Sequence, residues 1–145
     1  MTRNHLDLLL FVAADSASPV CYVAAVSVLH KLQIKPEMKF VLLRKPESVS
    51  LDGTHTSAIE ADAVLVFIER SEDLQAPEVR DFVEAALRDA VAWITYPKAG
   101  QLGTDLNRDS LARLVSEFGV RPVRQVSIDS TWSALRFRPG SFQPS

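Results

Sequence analysis

The sequence predicts an α/β domain built on a mostly parallel sheet, with helices on both faces and an antiparallel hairpin closing the chain. Three observations predict it. Continuous apolar runs of strand length recur along the chain, as in strands buried on both faces of a parallel sheet. Amphipathic helical stripes alternate with those runs, and alternating β and α with short loops implies right-handed crossovers that place helices on both faces. Two final strand patterns are separated by a short polar turn.

The elements follow in order. Leu6 to Ala14 fits a strand or a helix by periodicity; its end at the turn cluster Asp15-Ser16-Ala17-Ser18-Pro19 favours a strand. Ser18-Pro19 reads as an N-cap and first-turn proline, opening a helix from Val20 to about Leu32. That helix is apolar nearly all round, which predicts burial on two sides. The clearest strands are Lys39 to Leu43, Ala63 to Ile68 and Ala90 to Tyr96, all rich in β-branched and aromatic residues. Val79, Phe82, Val83, Ala86 and Leu87 form one helical stripe, with Pro77 in its first turn and Ser71 capping a short turn before it. A second stripe, Leu111, Leu114, Val115 and Phe118, starts from an Asp105 or Asn107 cap and stops at Gly119. Val123 to Ile128 and Trp132 to Arg138 form the hairpin around Asp129-Ser130-Thr131. Strict alternation puts Ser133, Leu135 and Phe137 on one face of the last strand. Trp132, Ala134, Arg136 and Arg138 fall on the other, the two arginines as a small basic patch.

Composition narrows the function classes. The 145 residues carry a formal net charge of −2, so no global field attracts nucleic acid or a membrane. The charge is uneven: residues 97–145 hold seven Lys/Arg and four Asp/Glu, which hints at an anionic partner near the C-terminal third. Cys21 is the only cysteine and lies in an apolar run, which fits a reducing cytoplasm and excludes a disulfide framework. Asp7 and Asp15 bracket the first apolar stretch too closely for a signal peptide, and no run approaches the roughly 20 apolar residues of a spanning helix. His5, His30 and His55 are scattered, with no partner at metal or triad spacing. No nucleophile elbow is present and no residue is assigned a catalytic role.

Ligands of an open parallel sheet sit beyond the carboxyl ends of its strands. The loop after Leu43 reads Arg44-Lys45-Pro46-Glu47-Ser48, without a glycine to let backbone approach a nucleotide-type cofactor, so no cofactor is expected. The loop after Tyr96 holds Gly100 and Gly103 and leads into a helix N-terminus, where free N–H groups favour an anion. Lys98, Thr104, Asn107 and Arg108 are its candidate ligands for a phosphate, sulfate or carboxylate. Thr104, Asp105 and Asn107 are equally ordinary capping residues.

Four stretches carry a family resemblance: Lys31 to Met38, Trp93 to Lys98, Thr104 to Leu111, and Gln125 to Asp129 leading to Trp132 through Phe137. Over roughly residues 28–139 the chain resembles an uncharacterised bacterial family with a pared-down class I methyltransferase fold. The resemblance implies a three-layer Rossmann-like sandwich whose final strand is antiparallel, in one domain over residues 1–140. Residues 1–27 are an additional element and 141–145 a loose tail. Glu37 stands where such proteins place glycine, and Lys45 to Ala61 is short for a full strand–helix–strand passage.

The functional expectation is a non-catalytic or small-anion-binding domain with a degenerate methyltransferase-like fold. It would act in the cytoplasm through a small anion or a protein partner, without nucleic acid or membrane. The alternatives are a transferase using S-adenosylmethionine in an atypical pocket, and a structural homo-oligomer joined through the apolar first 32 residues.

Overall fold

A computed structural model describes residues 28–49, 51–54 and 56–141. The proposed strand at Leu6 to Ala14 and most of the helix from Val20, with Cys21, lie outside the described residues; residues 28–31 are helical. Five strands form one sheet: β1 (Phe40–Leu43), β2 (Ala63–Phe67), β3 (Val91–Pro97), β4 (Val120–Ser127) and β5 (Trp132–Pro139). Two helices, α1 (Pro77–Leu87) and α2 (Arg108–Val115), are each joined to a 3-10 turn, at Ser71–Gln75 and Ser116–Phe118.

The strand order is β1-β2-β3-β5-β4. β1, β2 and β3 are parallel, and β5 runs antiparallel to both β3 and β4. This overturns the expected three-layer, mostly parallel Rossmann-like sandwich. The sheet is mixed, with two parallel and two antiparallel pairings, and among the described residues only short helices accompany it. The reason lies in the connections. The 44–62 passage from β1 to β2 forms no helix among its described residues, but a chain of turns that sends Val49 and Leu51 into the core. The last strand does not extend the edge of a parallel sheet; it inserts between β3 and β4.

Both faces of the sheet are buried, by different means. On one face α1 and α2 set Val79, Phe82, Ala86, Leu111 and Val115 against Val64, Val66, Ile94, Leu135 and Phe137. Pro77 opens α1, and Asn107 caps α2 by accepting from the Ser110 N–H at 2.9 Å while its own N–H donates to Ser110 Oγ at 3.0 Å. Gly119 ends the helical stretch with φ 88°, a left-handed conformation that costs glycine no Cβ clash. On the other face Leu32 and Ile34 pack with Val49 and Leu51 on Leu65, Phe67, Trp93 and Trp132. Trp93 is fully buried there, and its indole N–H donates to the Leu32 carbonyl at 2.9 Å.

The two sheet edges differ. β1 is covered by Thr54, whose N–H donates to the Phe40 carbonyl at 2.7 Å and whose hydroxyl accepts from the Phe40 N–H at 2.7 Å. β4 pairs only with β5 and is exposed along most of its length. Pro122 and the arginines at 121 and 124 suit an edge that must not template further pairing.

One core position carries a test of packing. Thr95 lies on the Trp93 face of β3, in register with Phe67 and Ala134, and its hydroxyl is buried with no partner among the described residues. An unpaired buried hydroxyl costs about 1–3 kcal/mol. Thr95→Val keeps the shape and removes that cost, so it is expected to raise stability by about 1 kcal/mol. The measurement is the urea midpoint at unchanged slope; a lowered midpoint would show that the hydroxyl has a partner.

Candidate functional site

The structure does not bring the four loop residues onto a common point. Lys98 turns toward the closing hairpin, its ammonium donating to Ser127 Oγ at 2.8 Å and its N–H to the Thr131 carbonyl at 2.7 Å. Thr104 turns the other way. Its hydroxyl donates to the Glu69 carbonyl and accepts from the Leu106 N–H at 3.1 Å. Asn107 is the α2 cap, and Arg108 contacts Asp109 at 3.4 Å. Asp105 anchors the loop to the β2–α1 connection by accepting from Ser71 N–H at 2.8 Å and Ser71 Oγ at 2.6 Å, which holds its carboxyl below the usual range. Gly100 and Gly103 have φ of 84° and 67° and serve the tight turns at Gln101 and Thr104. The loop's polar groups are largely spent on its own architecture.

Cations gather instead on the closing hairpin. Register pairs Arg121 with Arg138 and Arg124 with Arg136, each directly across the β4–β5 ladder. Residues 121 and 124 are three apart, so strict alternation would put them on opposite faces. A bulge between Pro122 and Arg124 adds one residue and restores both to the same side. All four guanidinium groups therefore stand on the face that carries Trp93, whose register partner is Arg136.

Their partners are few. Arg138 makes a two-pronged ion pair with Asp89, at 2.9 and 2.8 Å, which holds the Asp89 carboxyl below its usual range. Arg136 donates through Nη1 to Gln33 Oε1, and its Nε is buried without a partner among the described residues. Burial, and then the charges of Arg138 and Arg124, push the Arg136 pKa down against the pull of Asp89. It stays charged, as arginine does in proteins. Arg121 and Arg124 are exposed and have no acidic partner among the described residues. Arg121 lies over Gly140, where a Cβ would approach its Cδ to 2.8 Å, so that glycine makes room for the side chain.

This arrangement is unfavourable for the hairpin alone. Like charges directly opposite in a ladder are destabilising, and the orphaned Nε adds to that. Edge protection accounts for charge on β4, but it needs no second row on the inner strand β5. A planar guanidinium fork binds oxyanions bidentately, and an anion bridging these side chains would relieve the repulsion between the opposed charges. Sequence reading found Arg136 and Arg138 through their shared strand face. It missed Arg121 and Arg124, because the bulge that aligns them leaves no mark beyond a proline in a strand.

Other features carry less. A groove of about 390 Å³ runs beside α1, lined mainly by Leu74, Ala76, Val79, Val83 and Phe118, with Gln75 and Arg80 its two polar side chains. Among the described residues no cluster of three or more His, Cys, Asp or Glu is placed to hold a metal ion, and no helix is long and apolar enough to cross a membrane. No family model and no curated protein matches the chain.

Proposed function

We propose that this chain is a non-catalytic binding domain whose ligand is an anion held by the guanidinium groups of β4 and β5. One observation carries the reading: two arginine pairs stand directly opposite each other on one sheet face, with Asp89 as the single acid bonded to them among the described residues. A protein under selection for stability alone gains by separating such charges, and here a bulge places them together. Among the described residues no hydroxyl, thiol or imidazole is bonded to the four guanidinium groups, which favours binding over bond-making as the chemistry of the cluster.

Pyrophosphate, sulfate and citrate at low ionic strength test the reading by thermal shift. An anion at 100 times its dissociation constant stabilises by about 2.7 kcal/mol, a shift of several degrees in a domain of this size. The wild type is expected to gain that stability with pyrophosphate, and the double variant Arg124→Ala/Arg136→Ala to lose it. Lys98→Ala and Arg108→Ala are expected to respond as wild type does. Loss of the response in those two, with the hairpin variant unaffected, would move the site to the loop after β3. A wild type indifferent to all three anions would end the proposal.

A further inference from the structure

The cations on this face do not stop at the hairpin's four arginines. Lys31, exposed at the end of the helical turn over residues 28–31, donates to the Ser127 carbonyl at 3.5 Å, at the far end of β4 from Arg121. Gln33, two residues on, meets Arg136, so the 31–33 segment lies along the same hairpin. From Arg121 to Ser127 an extended strand covers about 20 Å at its usual rise. Along that length Arg121 and Arg138, then Arg124 and Arg136, then Lys31 form one row of cationic side chains, in which Asp89 already pairs with Arg138.

A compact anion touches one or two guanidinium forks and leaves the rest of such a row unused. We infer that the ligand is a linear chain of phosphates, lying along β4 from Lys31 to Arg121. This rests on the anion-binding reading above and specifies its ligand class. The chemistry favours linked phosphates without bases. The exposed large apolar residues among those described are Ile59, Leu87, Leu102, Leu114, Phe118 and Val123, and the single aromatic among them, Phe118, belongs to the 3-10 turn after α2. Trp93 and Trp132 are buried in the core beneath this face. Single-stranded nucleic acid binding depends on exposed aromatic platforms for its bases, and the described residues along this row present none.

The test is a titration of the full chain with pyrophosphate, tripolyphosphate, long-chain inorganic polyphosphate and a single-stranded oligonucleotide of matched total charge. Affinity expressed per phosphate is expected to rise about tenfold or more from pyrophosphate to the long chain, as successive sites on one ligand engage. Lys31→Ala is expected to weaken the long chain severalfold more than pyrophosphate, and to lower the dependence of log affinity on log salt by about one. Lys31 is exposed and makes one long hydrogen bond, so its removal leaves the fold intact. Pyrophosphate binding without any gain from chain length, or a gain that survives Lys31→Ala, overturns the linear ligand while the hairpin site stands. Failure of every phosphate to bind overturns the anion reading itself. An oligonucleotide that binds as tightly as polyphosphate gives the row to nucleic acid and overturns the inference.

Discussion

Trp93→Ala is expected to lower the unfolding free energy by about 3–5 kcal/mol, the range for truncating a large buried aromatic side chain. In a chain of this size that is a fall of roughly 10 °C in the thermal midpoint. The indole sits at the middle of β3 between Leu65 on β2 and Arg136 on β5, fully buried. Its loss removes packing across three strands and strands a second group, because the Leu32 carbonyl no longer receives the indole N–H. Trp93→Phe separates these effects. It keeps much of the apolar surface and loses the hydrogen bond, so it is expected to cost about 1–3 kcal/mol. Urea unfolding followed by circular dichroism measures both. A loss below about 1 kcal/mol for the alanine variant would mean that the 32–34 segment does not seal this face.

Phe82→Ala is expected to cost a similar amount, about 3–5 kcal/mol, from the opposite face. Phe82 is the fully buried centre of the α1 stripe and meets Phe137 of β5 edge-to-face, with ring centroids 5.6 Å apart and planes at 87°. That geometry sets the positive edge of one ring on the negative face of the other, worth about 0.5–1.5 kcal/mol beyond area burial. A double-mutant cycle with Phe137→Ala reads the coupling. Additive losses would show that the two rings share a core without interacting. Equal large losses from Trp93 and Phe82 would establish that the sheet is buried on both sides, although helices α1 and α2 stand on one side alone.

The local elements were legible because their signals are local. Five consecutive buried positions in β2 leave an uninterrupted apolar run, and an i, i+3, i+4 stripe beside Pro77 leaves little room for anything but α1. Gly119 marked the end of the second helical stretch through its own conformational chemistry, and its start lay at Asp105 or Asn107, of which the structure selects Asn107. The layer architecture was read wrongly for an equally physical reason. Alternating strand and helix patterns with short loops imply helical crossovers and so helices on both faces, and the short Lys45–Ala61 passage is a place where the sequence departs from that scheme. The described residues of that passage cross as turns, whose Val49 and Leu51 join Leu32 and Ile34 in covering the face opposite α1 and α2.

The loop after β3 shows the same limit at the level of a site. Lys98, Thr104, Asn107 and Arg108 are close in sequence and share the chemistry of an anion cradle. Their side chains answer to different neighbours: β4 for Lys98, the β2–α1 connection for Thr104, and α2 itself for Asn107. Proximity along the chain carried no information about direction. The arginines of the hairpin are the converse, seventeen residues apart from Arg121 to Arg138 yet directly opposed.

By itself the sequence determined the positions of the three central apolar strands, the closing hairpin and the two amphipathic helices, the proline that opens α1, the glycine that stops the second helical stretch, and that positive charge concentrates in the last third of the chain. Each follows from residue type and spacing over a few positions. Tertiary structure alone decided that β5 enters the sheet between β3 and β4, that α1 and α2 share one face, and that four arginines meet. Those outcomes depend on strand register, and register is set by pairing across the sheet. One bulged residue is enough to bring to one face what alternation assigns to two.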